Sequence, residues 1–299
     1  MITFNKKTDF ISIIAPSSSC RDAENRLEEA KKILVERGFK VLVDDKIFAG
    51  DELPFFAAPK TERLRMFKEA MENSEVKIIW AFRGGYSCGE FAQECFDIKM
   101  AGDKILIGYS DITVLHLLLN QYYNMPSIHG SVLTSLLPST NQDIQEIINI
   151  IEGEDSKIAV MPINKPNENN IVGKVSGGNL TVLTKMIGTK LSPNLDKKIL
   201  ILEDVNEKGY AIHRNLMQLK NAGMFDNVKA IIFGDFTNSD GNETISIEAF
   251  CRNHIPQLPT YHALGIGHGQ INHPFIMNHE AVIEGNYLNF TSPFQLIGS

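Results

Sequence analysis

Cysteine and tryptophan are scarce in this chain: 299 residues hold four of the first and one of the second. Cys20, Cys88, Cys95 and Cys251 form no Cys-x-x-Cys pair, and their spacing fits no zinc site. Cys88 stands near Gly84-Gly85, where a reactive thiol would be well placed. Buried or incidental free cysteine is the commoner use, and nothing here calls for a disulfide. Metal-ligand spacings such as His-x-x-x-His on one helix are missing, which argues against a metal enzyme, and no cofactor is expected. The chain has neither a Gly-x-Gly-x-x-Gly loop nor a Gly-Lys-Ser/Thr ending, so a nucleotide-phosphate site is disfavoured. It has no basic run interleaved with aromatics, and its net charge of −7 argues against nucleic acid as a partner. No apolar stretch approaches the length of a membrane span. The first ten residues, Met1 to Phe10, lack the apolar core of a signal peptide. The expectation is a cytoplasmic protein with no membrane partner.

What is present is ordinary for a globular protein: 43% hydrophobic and 22% charged residues. The length favours two domains over one core. Apolar runs at Phe10–Ala15, Lys40–Val43, Val76–Ala81 and Ile105–Ile107 read as buried strands. Helical spacing separates them at Ala23–Arg37 and Thr61–Asn73. Alternation of this kind implies a parallel sheet covered on both faces, with sites beyond the carboxyl ends of its strands. After a helix at Gln142–Glu152 comes a Pro- and Asn-rich stretch that reads as a linker. The domains are placed at 1–160 and 173–299, with 161–172 between them. The second half continues with the segment Ile171–Val175, a Gly177-Gly178-Asn179 turn and a helix at Leu180–Ile187. A strand at Lys198–Leu202, a helix at His213–Ala222 and a strand at Ala230–Phe233 follow, then short strands over Ala281–Phe294. That is a mixed α/β domain.

The chemistry-bearing segment is Gly108-Tyr109-Ser110-Asp111. A buried strand stops at a glycine, presents one serine and turns into the helix that begins near Ile112. That is the arrangement of a nucleophile elbow, which lifts a hydroxyl clear of the sheet. The plainer alternative is a strand-to-helix turn with Ser110 or Asp111 as a cap. A serine nucleophile needs a base and a group to orient it. Among eight histidines, His268 stands out because Gly267 and Gly269 leave its imidazole uncrowded. Glu203, at the carboxyl end of a strand, is the first choice as orienting acid, with Asp204 and Glu207 as alternatives. Arg83-Gly84-Gly85-Tyr86 also follows a strand, and its glycines can bring N–H groups to a developing oxyanion.

Taken together, these segments resemble the LD-carboxypeptidases, serine peptidases of murein recycling whose relatives include the microcin C immunity peptidases. The resemblance rests on Ala15-Pro16-Ser17, Arg83-Gly84-Gly85-Tyr86, Gly108-Tyr109-Ser110-Asp111-Ile112-Thr113, His129-Gly130 and Gly177-Gly178-Asn179-Leu180. It continues through Leu202-Glu203-Asp204-Val205-Asn206-Glu207, Tyr210, Arg214, Gln218-Leu219 and Gly267-His268-Gly269. It implies an α/β protein with a flavodoxin- or amidotransferase-like N-terminal domain and a mixed α/β C-terminal domain, and an active site in the cleft between them. It also implies a Ser110–Glu203–His268 triad, with the N–H groups of Asp111 and Gly85 as oxyanion donors (Gly84 is the alternative to Gly85). Arg83 and Arg214 become candidates for gripping the free carboxylate of a small murein peptide, with Arg83 and Tyr86 as the substrate-binding residues, and a homodimer is expected. Arg214, on a helix, reads as structural. Two positions depart from the family pattern: Ser87-Cys88 follows the glycine turn, and His213 precedes Arg214 in place of aspartate.

Overall fold

β-branched and aromatic side chains build the first sheet. The computed structural model describes residues 1–135, 141–164 and 170–298. It separates into two units: Met1–Glu154 with the C-terminal residues from Ser292, and Asp155–Thr291. The first unit contains β1 (Ile2–Phe4), β2 (Phe10–Ile14), α1 (Ala23–Glu36), β3 (Lys40–Val43), α2 (Lys60–Glu72) and β4 (Val76–Ala81). α3 (Cys88–Phe91), β5 (Ile105–Gly108), α4 (Thr113–Leu117), β6 (Ser127–His129) and α5 (Asn141–Glu152) complete it. Within this unit the strands are all parallel, in the order β3-β2-β4-β5-β6. Ile105, Leu106 and Ile107 are fully buried, as a strand covered on both faces requires. The order is the flavodoxin-like one, and its direction reverses between β2 and β4. The turns after those two strands carry Ser17–Ser19 and Arg83–Tyr86.

Helices cover this sheet with regular stripes. α1 buries Leu27, Ala30 and Leu34, and α2 buries Met66, Phe67, Ala70 and Met71. The last strand of the chain, Phe294–Leu296, returns to this unit and pairs in parallel with β1, matching Ile2 with Phe294.

The second unit contains β7 (Ser156–Ala159), β8 (Met161–Pro162), β9 (Ile171–Asn179), α6 (Leu180–Lys185), β10 (Lys198–Val205) and α7 (Gly209–Asn221). β11 (Ala230–Thr237), α8 (Glu243–His254), β12 (Thr260–His262), β13 (Phe275–Met277), β14 (Glu280–Glu284) and β15 (Tyr287–Phe290) follow. Its sheet runs β7-β15-β14-β9-β10-β11-β12-β8. The central four strands are parallel and the flanking ones antiparallel, which is a mixed α/β unit. Among the described residues, no helix is long and apolar enough to cross a membrane.

Three details differ from the sequence reading. The unit boundary falls at Glu154, and both ends of the expected 161–172 linker are strand: Met161 pairs with His262, and Ile171 with Ile283. Residues 165–169 of that stretch lie outside the described residues. Gly177-Gly178-Asn179 is the end of β9 and pairs with Ile201, Leu202 and Glu203. Gly177 is needed there because a Cβ would sit 1.8 Å from the Ile201 carbonyl oxygen, at φ 140°. α7 begins at Gly209, four residues before His213, with the Gly209 N–H taken by Asp240 Oδ1 at 3.0 Å.

Candidate active site

In the first unit, β5 ends at Gly108 and Tyr109 stays extended at φ −150°. Ser110 then turns into the left-handed region at φ 63°, and a 3₁₀ turn over Ser110–Ile112 leads into α4. A serine in that region is strained by roughly 1–3 kcal/mol and stays there only when its surroundings impose it. The surroundings are visible. A Cβ on Gly108 would lie 2.9 Å from the Ile112 side chain, so the turn closes only over glycine. The Gly108 carbonyl accepts two bonds, from His116 Nε2 at 2.9 Å and from the Gly130 N–H at 3.1 Å. His116 Nδ1 lies 2.7 Å from Ser127 Oγ, so with Nε2 donating, Nδ1 accepts. Burial pushes this imidazole down to about 3 and keeps it neutral.

Gly84 packs directly on Ser110: a Cβ there would be 2.8 Å from Ser110 Cβ and 3.0 Å from Oγ. Gly85, at φ 121°, packs on Ser18, whose Oγ a Cβ would approach to 2.3 Å. Two buried charges hold this glycine turn from opposite ends. The Asp111 carboxylate accepts the Cys88 N–H at 2.8 Å and the Ser17 hydroxyl. Arg63, 1% exposed, donates to the carbonyls of Ala58 at 2.9 Å, Pro16 at 3.5 Å and Ser87 at 3.3 Å, and pairs with Glu90 at 2.6 Å. The turns after β2, β4 and β5 are thereby tied together. Arg83 donates from Nη1 to the Ser19 carbonyl, and Tyr86 is 62% exposed with its N–H on Ser18 Oγ at 3.3 Å. Cys88 is buried, and burial pushes its thiol well up, so it is not a poised nucleophile.

In the second unit, Glu203 lies at the carboxyl end of β10, fully buried, with Oε2 2.7 Å from His268 Nδ1. The ring nitrogen facing the carboxylate is fixed, as an orienting acid requires. Asp204 points elsewhere: it accepts from Asn179 Nδ2 at 2.8 Å and from the Thr181 and Val205 N–H groups at 2.9 Å. Burial, then the neighbouring Glu203 charge, raises Asp204 to about 6. Of these two neighbouring carboxylates, Glu203 is the one bonded to His268 Nδ1. Arg214 lies on α7 with its guanidinium 5.7 Å from the Tyr210 ring centroid.

Arg63, Asn272 and Asp235 stand outside the motifs that the sequence offers. Arg63 sits in an amphipathic helix where charge is expected outside, so only its burial reveals it. Asn272 accepts the Gly267 N–H at 2.9 Å. Asp235 had a usable signal, because Gly234-Asp235 follows the strand Ala230–Phe233 just as Glu203 follows Leu202.

The LD-carboxypeptidase N-terminal domain model matches residues 11–130, and the C-terminal domain model matches residues 172–283. A murein tetrapeptide carboxypeptidase of Pseudomonas aeruginosa is 29% identical over 94% of this chain and 94% of its own length. The microcin C7 self-immunity protein MccF of Escherichia coli is 27% identical over 75% of this chain and 74% of its own. The crystal structure of a muramoyltetrapeptide carboxypeptidase from Oxalobacter formigenes superposes with a TM-score of 0.80 at 25% identity, covering 95% of this chain and 99% of that one. The chain belongs to the LD-carboxypeptidase family.

Proposed function

We propose that the protein is a serine carboxypeptidase that removes the terminal D-alanine from murein tetrapeptides by cleaving the L,D bond. The observation that carries the reading is Ser110 at φ 63° on a strand–glycine–serine elbow, packed against Gly84. A serine held in that backbone state on a strand-to-helix turn matches the geometry of a nucleophile elbow. The names of the Pseudomonas and Oxalobacter relatives supply the substrate class.

His268, oriented by Glu203, takes the Ser110 proton as Oγ attacks the carbonyl carbon. The N–H groups of Asp111 and Gly85 hold the tetrahedral oxyanion, and one such donor lowers the barrier by on the order of 3 kcal/mol. His268 then gives its proton to the leaving D-alanine amine, and water releases the acyl group by the same route in reverse. Arg83, with N–H groups beyond the one spent on Ser19, grips the terminal carboxylate, and Tyr86 borders it. The protein acts in the cytoplasm as a homodimer in this reading, and light scattering of the purified protein tests the dimer.

Mass-spectrometric detection of D-alanine from a murein tetrapeptide tests the activity. Wild type releases it, and Ser110→Ala loses at least about a thousandfold in kcat. A protein that merely binds small molecules would keep its function in that variant. No D-alanine at high enzyme concentration would sink the reading. The similarity to MccF favours one second reading, cleavage of an aminoacyl nucleotide, and an aminoacyl-sulfamoyl adenylate arm distinguishes it. The only tryptophan offers that substrate no platform: Trp80 is fully buried in β4, with Nε1 donating to the Ser131 carbonyl at 3.0 Å.

A further inference from the structure

The glycines around His268 have a second use. β10 and β11 are in register at Leu202–Phe233 and again at Asp204–Phe236. One residue of β10, Glu203, thus faces two of β11, Gly234 and Asp235. This is a β-bulge, the device by which a strand re-aims a side chain beside a site. The turn that presents His268 seats on both strands at this point. A Cβ on Gly267 would fall 2.7 Å from Glu203 Oε2, and a Cβ on Gly269 would fall 2.4 Å from Asp235 Oδ2. The histidine is held between two glycines, each resting on a different carboxylate.

Asp235 does more than touch the turn. Both of its carboxylate oxygens lie 3.2 Å from the Gly265 nitrogen, and its own N–H donates to the Ile266 carbonyl at 2.7 Å. Gly234 is bare for the same reason, since a Cβ there would meet the Ile266 carbonyl oxygen at 2.7 Å. The Gly265 carbonyl in turn accepts the His273 N–H at 2.6 Å and closes the loop on itself. The charged or titratable groups around Asp235 are Glu203 on β10 and His273 on the loop. Burial raises the Asp235 carboxyl, with the Glu203 charge adding to the rise, while the Gly265 N–H and His273 oppose it. A partly buried acid in a cramped bulge is costly, and its carboxylate takes a backbone N–H of the turn that carries the base.

We propose that Asp235 is a positioning residue for the general base: its carboxylate, taking the Gly265 N–H and the face of Gly269, clamps the 263–273 turn so that His268 stays on Glu203. This rests on the reading of His268 as the base of a carboxypeptidase. It places no catalytic duty on Asp235 itself.

The test uses the full-length protein and has two arms. Proton NMR of the substrate-free protein follows the hydrogen-bonded Nδ1–H of His268, assigned by its loss in His268→Gln. Steady-state release of D-alanine gives kcat and KM. Asp235→Ala is expected to broaden or abolish the Nδ1–H signal. It should also lower kcat by about 10–100-fold while KM stays within about threefold, the usual cost of removing a supporting partner. Asp235→Asn keeps an oxygen for the Gly265 N–H and should restore the signal and most of kcat. If Asp235→Ala does not fold, Gly269→Ala presses on the same contact from the other side and should give the same signature. An unchanged Nδ1–H signal in either variant overturns the proposal, as does an Asp235→Asn variant no better than Asp235→Ala. If wild type releases no D-alanine, the functional reading fails by itself, and the NMR arm still decides whether Asp235 holds His268 on Glu203.

Discussion

At Ser110 the backbone is held at φ 63°, and the groups that hold it extend through the interior of the first unit. Gly108 lies under the turn, and His116 fastens the Gly108 carbonyl from inside. The bond that His116 Nδ1 accepts from Ser127 needs a neutral imidazole, and with burial this sets a pH dependence. The unfolded chain takes up a proton on this histidine near its ordinary value of 6.5, whereas the folded protein resists until about 3. The stability contributed by neutral His116 is therefore complete above pH 6.5 and is lost as pH falls toward 3. Across that window it steepens the acid dependence by up to about 1.4 kcal/mol per pH unit. Urea unfolding at a series of pH values should show a shallower slope for His116→Gln than for wild type. Parallel curves would refute the assignment.

In the first unit, side chains tie the ends of elements to the turns around them. α2 shows this through Arg63, which leaves the helix to reach carbonyls in the turns after β2 and β4. Phe56 and Phe91 lie against its guanidinium at 4.6 and 5.9 Å from their ring centroids. Arg63→Met would keep the apolar volume but remove the donors, leaving the Ala58, Pro16 and Ser87 carbonyls and the Glu90 carboxylate without them. Breaking a buried charged arrangement in this way costs roughly 3–5 kcal/mol. The fall should appear as a lower urea midpoint with an unchanged m-value. A loss below about 1 kcal/mol would mean that water or another side chain replaces the guanidinium. The strands were readable from the sequence because Ile, Val and Leu runs have no other economical use. Arg63 was not, because an amphipathic pattern allots charge to the outside and says nothing about which arginine turns inward.

On the scale of the whole molecule, the first unit is not continuous in sequence. The chain leaves it at Glu154 and returns at Ser292, and Phe294 then lies 1% exposed beside Ile2 and Phe4. Phe294→Ala should cost the first unit roughly 3–5 kcal/mol, the usual range for emptying a buried phenylalanine site. Trp80 lies in that unit and reports its unfolding by fluorescence, while circular dichroism follows both units. The expected result is a Trp80 transition at lower denaturant and a second-unit transition that does not move. A shift of the second unit alone would show that the C-terminal strand has been assigned to the wrong partner.

By itself the sequence determined the α/β class and picked out Ser110, Glu203 and His268 as residues of interest. Those features rest on local rules: apolar period, glycine where a chain must turn sharply, and acid or serine at a strand's end. Tertiary structure decided what such rules cannot reach. It chose Glu203 over Asp204 by sending one carboxylate to His268 and the other to Asn179 and the start of α6. It moved the unit boundary, because strand partners such as β1 and Phe294–Leu296 are separated by almost the whole chain. It also gave the glycines beside His268 a use that the sequence does not show, close contact with two carboxylates. Each of these depends on which side chains and backbones meet across long sequence separations, and no local pattern encodes such meetings.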